Sequence, residues 1–138
     1  MSIADTELIK QALEARKKSY SPYSDFQVGA ALLTKNGKVY TGCNIENAAF
    51  TPTNCAERTA IFKAVSEGNV EFKKIAIVGG KRDKELEYCS PCGVCRQVMR
   101  EFVSENTFKV ILAKNEKEYV EYTLNEIFPM GFGPDNLK

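Results

Sequence analysis

A three-layer α/β/α domain with a five-stranded mixed sheet is the fold class this sequence predicts. Three observations lead there. Helix-like and strand-like segments follow one another as α-β-β-α-β-α-β-β-α over 138 residues, a length that suits one domain spanning residues 1–138. The first two strands are joined by Lys35-Asn36-Gly37-Lys38, and an Asn-Gly pair between apolar runs is a strong hairpin signal. The last two are separated only by Lys114-Asn115-Glu116-Lys117, too short for a parallel crossover, so they pair antiparallel.

Asp5–Lys18 reads as the first helix because Leu8, Ala12 and Ala15 fall near one face while Glu7, Lys10, Glu14 and Lys18 lie elsewhere. Tyr20–Ser24 is a polar, aromatic loop. Phe26–Thr34 is almost wholly apolar and reads as a buried strand, returned by Lys38–Ile45, with Asn44-Ile45-Glu46-Asn47 closing it in polar groups. A second helix begins near Asn54 or Cys55. Ala56, Ala60 and Ala64 give it a small-residue ridge beside Ile61 and Val65, and Gly68-Asn69 ends it. Lys74–Gly79 is a short apolar strand and Lys81–Glu87 a charged loop. Ser90 and Pro91 suit the N-cap and first position of a third helix, along which Val94, Val98 and Phe102 share a face. Thr107–Ala113 and Tyr119–Thr123 are the last strands. Leu124–Ile127 is a short closing helix before the aromatic, Gly/Pro-punctuated tail Phe128–Pro134.

Composition excludes several classes. The chain is 43% hydrophobic and 27% charged with a net charge of +1, ordinary values for a globular protein. No basic run suggests a nucleic-acid track or an anionic membrane surface, and no apolar stretch is long enough to span a bilayer. The acidic N-terminal stretch Met1–Glu7 is unlike a signal peptide, so a cytoplasmic protein is expected. There are 5 cysteines, an odd number, and three of them sit in tight motifs. In a reducing compartment that pattern favours metal binding over disulfides.

Histidine is absent altogether, which restricts the chemistry. A zinc site must use thiolates, with or without a carboxylate, and a general base must be Glu, Asp, Lys, Tyr or Cys. Cys92 and Cys95 stand three apart at a helix start, so both thiols face one side. Cys55 lies at the start of another helix. With the two N-termini facing each other, the three sulfurs converge on one zinc ion. The fourth position stays open for water, which distinguishes a catalytic site from a closed structural one. Helix N-termini also favour thiolates over thiols. A C-x-x-C alone reads equally as a redox pair or half of a structural zinc site, and Cys89 or Cys43 could complete a closed four-cysteine site. Cys43, at a strand end, suits a small core residue better. Glu57, two residues after Cys55, can reach water at the open position. With Asn54 as N-cap, Glu57 would instead occupy N3 of a capping box.

Three thiolates and one Zn²⁺ sum to −1, which weakens acidification of the bound water relative to a neutral three-histidine site. Arg58 follows Glu57 and Arg96 follows Cys95, so these two are the candidates to donate to sulfur and offset the excess charge. A surface role is the ordinary alternative for each.

Four segments carry a resemblance: Tyr20–Ala31, Gly42–Ala48, Asn54–Ala60 and Ser90–Gln97. Within them lie Asn44-Ile45-Glu46-Asn47, Cys55-Ala56-Glu57-Arg58 and Pro91-Cys92-Gly93-Val94-Cys95. Together they resemble the small, homotetrameric, zinc-dependent cytidine deaminases. The resemblance implies hydrolysis of cytidine and deoxycytidine to uridine and deoxyuridine with release of ammonia, in pyrimidine salvage. By motif position it implies one Zn²⁺ per subunit on Cys55, Cys92 and Cys95, with Glu57 as proton shuttle. It further implies Asn44 and Glu46 on the ribose hydroxyls, Phe26 against the pyrimidine ring and the Ala56 backbone at the base carbonyl. Phe128 is matched to an aromatic that closes the pocket of a neighbouring subunit in the homotetramer. Taken alone, Asn44 and Glu46 read as a polar strand end and Phe26 as core. Thr51-Pro52-Thr53 and the length of the Lys81–Glu87 loop depart from the resemblance.

Three readings compete. A deaminase of a cytosine-nucleoside antibiotic would share the zinc motifs, but Phe26–Gly29 and Asn44–Asn47 favour the plain nucleoside. A polynucleotide deaminase would need a basic groove, against a net charge of +1. A structural zinc module would hold its metal and release no ammonia.

Overall fold

The computed structural model describes residues 3–138; Met1 and Ser2, which open the acidic N-terminal stretch, lie outside them. The elements run α1 (Asp5–Arg16), β1 (Phe26–Thr34), β2 (Val39–Cys43), α2 (Ala56–Ser66), β3 (Phe72–Lys81), α3 (Gly93–Phe102), β4 (Lys109–Ala113), β5 (Tyr119–Thr123) and α4 (Leu124–Ile127). A 3-10 turn covers Pro134–Leu137. The 5-stranded sheet has the order β2-β1-β3-β4-β5. The pairs β1–β2, β1–β3 and β4–β5 are antiparallel, whereas β3–β4, joined through α3, is parallel. The sheet is therefore mixed, as the two hairpins and one helical crossover require.

Alternation along the central strands makes the two cores. Ala30, Leu32, Ile75, Ile77, Val110 and Leu112 point to the face covered by α2 and α3. Ala31, Leu33, Ala76, Val78, Ile111 and Ala113 point to the face covered by α1. Burial on both faces is why these strands read as unbroken apolar runs rather than alternating ones.

Two glycines let helices approach the sheet from opposite sides. A Cβ on Gly29 would lie 2.1 Å from the Ala12 carbonyl oxygen of α1, and one on Gly42 would lie 2.5 Å from the Ala56 carbonyl oxygen of α2. The second contact brings the end of β2 against the first turn of α2. There the β2 ladder stops at Cys43 rather than continuing to Ile45. Ile45 turns away and exchanges two backbone hydrogen bonds with Asn54, both 2.9 Å.

Helix starts differ from the sequence expectation. Cys55 is the N-cap of α2, and Cys92, not Ser90, is the N-cap of α3. Ser90 does not cap because its hydroxyl accepts from Arg96 Nη2 at 2.6 Å. The α3 stripe shifts as well. Val94 is 56% exposed, while Cys95 and Met99 face the core with Val98 and Phe102 beside them.

Candidate active site

Both cysteine-bearing helix starts point at one place. The sulfurs of Cys55, Cys92 and Cys95 all lie within 4.8 Å of one another, and Cys55 Sγ is 3.7 Å from Cys92 Sγ. Tetrahedral zinc–sulfur bonds of about 2.3 Å place ligand sulfurs about 3.8 Å apart, so the spacing fits that ion. Neither N-cap cysteine makes a side-chain cap bond, so both sulfurs are free to ligate. The closed four-cysteine alternative is not realised. Cys89 and Cys43 stand outside the cluster, the former packed on Gly79 and the latter on the wall of a separate cleft of about 660 Å³ beside α1.

Glu57 follows within the first turn of α2 and is 3% exposed. Because Cys55 rather than Asn54 is the N-cap, Glu57 falls at N2 and the capping-box alternative fails. Its Oε1 is buried without a hydrogen-bond partner. An orphaned carboxyl oxygen beside three sulfurs marks a place built for a group other than the protein's own atoms. Burial pushes the Glu57 carboxyl up to about 7, and the charge on Cys55 adds to the rise against a hydrogen bond from its own backbone.

The Cys55 and Cys95 thiols are unequal. A hydrogen bond from Cys95 pulls Cys55 down to about 5 against burial, with further help from Arg58 and Cys92. The same contact, together with burial, pushes Cys95 up. Arg58 Nη2 lies 3.3 Å from Cys55 Sγ. Burial alone would lower the Arg58 guanidinium, but its bonds to the Cys55 and Cys95 sulfurs outweigh that and raise it. Arg96 was the other candidate donor to sulfur, and its guanidinium goes elsewhere. Nε donates to Pro91 O at 2.7 Å, Nη2 to Ser90 Oγ at 2.6 Å, and Nη1 to the Ile127 carbonyl. All its acceptors are oxygens at the start of α3 and the end of α4, because the side chain runs back along the helix toward its N-terminus.

Asn44 and Glu46 stand just past the end of β2. The Asn44 amide is held on three sides: Oδ1 accepts from Val28 N at 2.9 Å and from the Ser19 hydroxyl, and Nδ2 donates to Phe26 O at 2.8 Å. Among the described residues Nδ2 makes no second hydrogen bond. Glu46 Oε1 accepts from Tyr23 N at 3.0 Å and Ser24 N at 3.1 Å, and Oε2 from the Ser24 hydroxyl. Burial would raise this carboxyl, but those bonds outweigh it and hold it low, so it stays an anion with lone pairs to spare. Phe26 opens β1, and its ring edge stands 3.3 Å from where a Gly79 Cβ would be.

Cys89 is the neighbour that the sequence did not single out as part of this wall. Its sulfur would be 2.8 Å from a Gly79 Cβ, beside Phe26. Burial first, then the charges of Glu57, Glu87 and Cys55, push its thiol up to about 12. A glycine at the end of an apolar strand was the available signal, since it marks a close approach. Phe128, matched above to an aromatic reaching a neighbouring subunit, packs against its own chain's core at the end of α4. The outward aromatic of that tail is Phe132, 56% exposed.

A cluster of three cysteine sulfurs on paired helix N-termini, with a buried carboxyl alongside, defines a metal-dependent hydrolytic site on an α/β sheet. Comparison with known proteins gives the family. Residues 2–112 match the model of the cytidine and deoxycytidylate deaminase zinc-binding region. A cytidine deaminase of Halalkalibacterium halodurans is 48% identical over 94% of this chain and 95% of its own. The crystal structure of a Burkholderia pseudomallei cytidine deaminase superposes with a TM-score of 0.85 at 42% identity, covering 94% of this chain and 100% of that one. A blasticidin-S deaminase of Bacillus cereus is also similar, at 30% identity over 96% of this chain and 94% of its own. This chain belongs to the family of zinc-binding cytidine and deoxycytidylate deaminases, and Cys55, Cys92 and Cys95 are positioned to hold the metal ion.

Proposed function

We propose that the protein deaminates cytidine and deoxycytidine hydrolytically, giving uridine or deoxyuridine and ammonia, as a cytoplasmic enzyme of pyrimidine salvage. The observation that carries this reading is Glu57, a buried carboxyl with one unpartnered oxygen beside the three-sulfur cluster. Zinc held by Cys55, Cys92 and Cys95 would supply Lewis acidity and lower the pKa of water toward about 7, providing the nucleophile. Glu57 takes the proton from that water and passes it to ring N3, which makes C4 electrophilic. A C–O bond forms at C4. Glu57 then takes the remaining proton from the new C4 hydroxyl and delivers it to the amino group, the C4–N bond breaks, ammonia leaves and the C4 oxygen becomes the carbonyl of the product. Arg58 offsets the surplus negative charge of the thiolates, as its contact with Cys55 Sγ supports.

In this reading Phe26 stacks on the pyrimidine, the Ala56 backbone meets the base carbonyl, and Asn44 and Glu46 take the ribose hydroxyls. The second Nδ2 proton of Asn44 and the spare carboxylate lone pairs of Glu46 support that assignment. A homotetramer completes each site from a neighbouring copy. The exposed apolar side chains of Tyr23, Phe50, Met130 and Phe132 support such packing, and among the tail aromatics Phe132 is freer for it than Phe128.

The test is an absorbance assay of the zinc-loaded protein on cytidine, deoxycytidine, cytosine and adenosine in parallel, with ammonia measured independently. Turnover of both nucleosides and neither of the other two is expected. Zinc binding without ammonia from either nucleoside would leave a structural zinc module. Nucleosides that hydrate at C4 should inhibit far more tightly than substrate binds.

A further inference from the structure

The three ligand cysteines are not equally held. Cys95 is fully buried, and Cys55 is half-buried with Arg58 on its sulfur. Cys92 is exposed, and among the described residues its sulfur pairs only with the Cys55 sulfur, at 3.7 Å. Packing therefore leaves Cys92 freest, and its aim depends on the backbone that carries it. That backbone has one tie of a particular kind. Arg96 stands one turn beyond Cys92, and its backbone N–H donates to Cys92 O at 3.0 Å. Its guanidinium closes back over the same segment, with Nε on Pro91 O at 2.7 Å and Nη2 on Ser90 Oγ at 2.6 Å, while Nη1 holds the Ile127 carbonyl at the end of α4. Pro91 O belongs to the peptide that enters Cys92, so this bond fixes the plane from which the Cys92 side chain departs.

From this we propose that Arg96 is a positioning residue of the metal centre, acting not on sulfur but on the Ser90–Cys92 backbone, and that it sets the aim of Cys92 by anchoring that segment to α4. The proposal rests on the zinc-site reading above and not on the identity of the substrate. A guanidinium is required because three acceptors lie in three directions. The fork reaches them all, whereas a single ammonium cannot. The Ile127 carbonyl is one that α4 leaves unsatisfied at its end, so the anchor also fills a helix terminus.

The experiment uses the full chain, loaded with zinc or with cobalt. Zinc affinity is read by competition with a chromophoric chelator, and ligand geometry by the visible and thiolate charge-transfer absorption of the cobalt form. Arg96→Gln and Arg96→Lys are both expected to weaken metal binding by about 10- to 100-fold and to alter the cobalt spectrum. Failure of lysine to rescue is the signature of the fork, since a role through charge alone would be restored by it. Ser90→Ala removes one acceptor and keeps the arginine. It should weaken metal binding by about threefold to tenfold, the worth of one hydrogen bond, and it serves if the arginine variants do not fold. Wild-type affinity and an unchanged cobalt spectrum in folded Arg96→Gln, or in Ser90→Ala should the arginine variants fail to fold, would overturn the proposal, as would full rescue by lysine. These readouts need no substrate. Wild-type protein that binds zinc but releases no ammonia from cytidine would count against the functional reading alone.

Discussion

The starts of α2 and α3 look alike and do different work. Each helix begins one residue after an N-cap cysteine whose side chain makes no cap bond, and each has an arginine in its first turn. At α2 the first turn also contains a buried acid, and Arg58 reaches a sulfur. At α3 no acid lies in the first turn, and Arg96 reaches only oxygens. The α2 start is pressed onto β2 at Gly42, whereas nothing lies within 4 Å of a Cβ added at Gly93 in the first turn of α3. The difference teaches a division of labour. In the proposed reading one helix end, locked to the sheet, carries charge and proton chemistry. The other, open at Gly93, supplies two ligands, and in the same reading the exposed one, Cys92, is aimed by a tether.

The largest expected effect falls on the α2 end. Glu57→Gln should keep zinc and lose about 10²- to 10⁴-fold in kcat, measured on cytidine with metal content determined in parallel. Near-wild-type turnover with zinc bound would remove the acid from the mechanism and erase the contrast. Arg58→Gln comes next, with turnover down about 10- to 100-fold. Unchanged turnover and zinc content would show that Arg58 is not the compensating charge.

Stability variants probe the same contrast. Gly42→Ala forces a methyl against the backbone of α2 and should cost about 1–3 kcal/mol by denaturant unfolding. Gly93→Ala meets nothing and should be neutral or stabilising by up to about 1 kcal/mol. Equal costs at the two positions would mean that the α2 start is not the more tightly seated one.

The smallest effect concerns the wall between the two ends. The Cys89 thiol is raised from 9.0 to about 12, so it stays neutral in the fold where the unfolded thiol ionises. A raised acid contributes stability that is complete below pH 9 and is lost as pH climbs toward 12. At pH 10 that loss is about 1 kcal/mol. Unfolding at pH 8 and pH 10 should show a smaller alkaline decline in Cys89→Ala than in the parent, and parallel declines would rule the burial effect out.

Much of the fold was legible because its signals are local. The Asn36-Gly37 turn and the short Lys114–Lys117 connection demand antiparallel hairpins, and both appear in the sheet. Helix starts were less legible. Ser90-Pro91 has good capping chemistry, but a long-range demand, the guanidinium of Arg96, takes the serine hydroxyl. Val94, Val98 and Phe102 have helical spacing, yet convergence of Cys95 on the metal cluster rotates the buried stripe to Cys95 and Met99. Arg96 itself stands beside a ligand in sequence, but its side chain follows the helix backward, a direction that adjacency does not reveal.

By itself the sequence determined the donor chemistry. With no histidine, three cysteines in two helix-start motifs and one neighbouring glutamate, thiolate ligation and a carboxyl acid–base group were the available combination. Tertiary structure decided how those parts are used. It left Cys43 and Cys89 out of the cluster, buried Glu57 with an oxygen unpartnered, gave one arginine to sulfur and the other to oxygens, and packed a half-buried Phe128 against the core while leaving Phe132 exposed. The physical reason is reach. Residue type and spacing set which groups can ligate or titrate, but burial and hydrogen-bond partners come from segments distant in sequence, and only their packing assigns them.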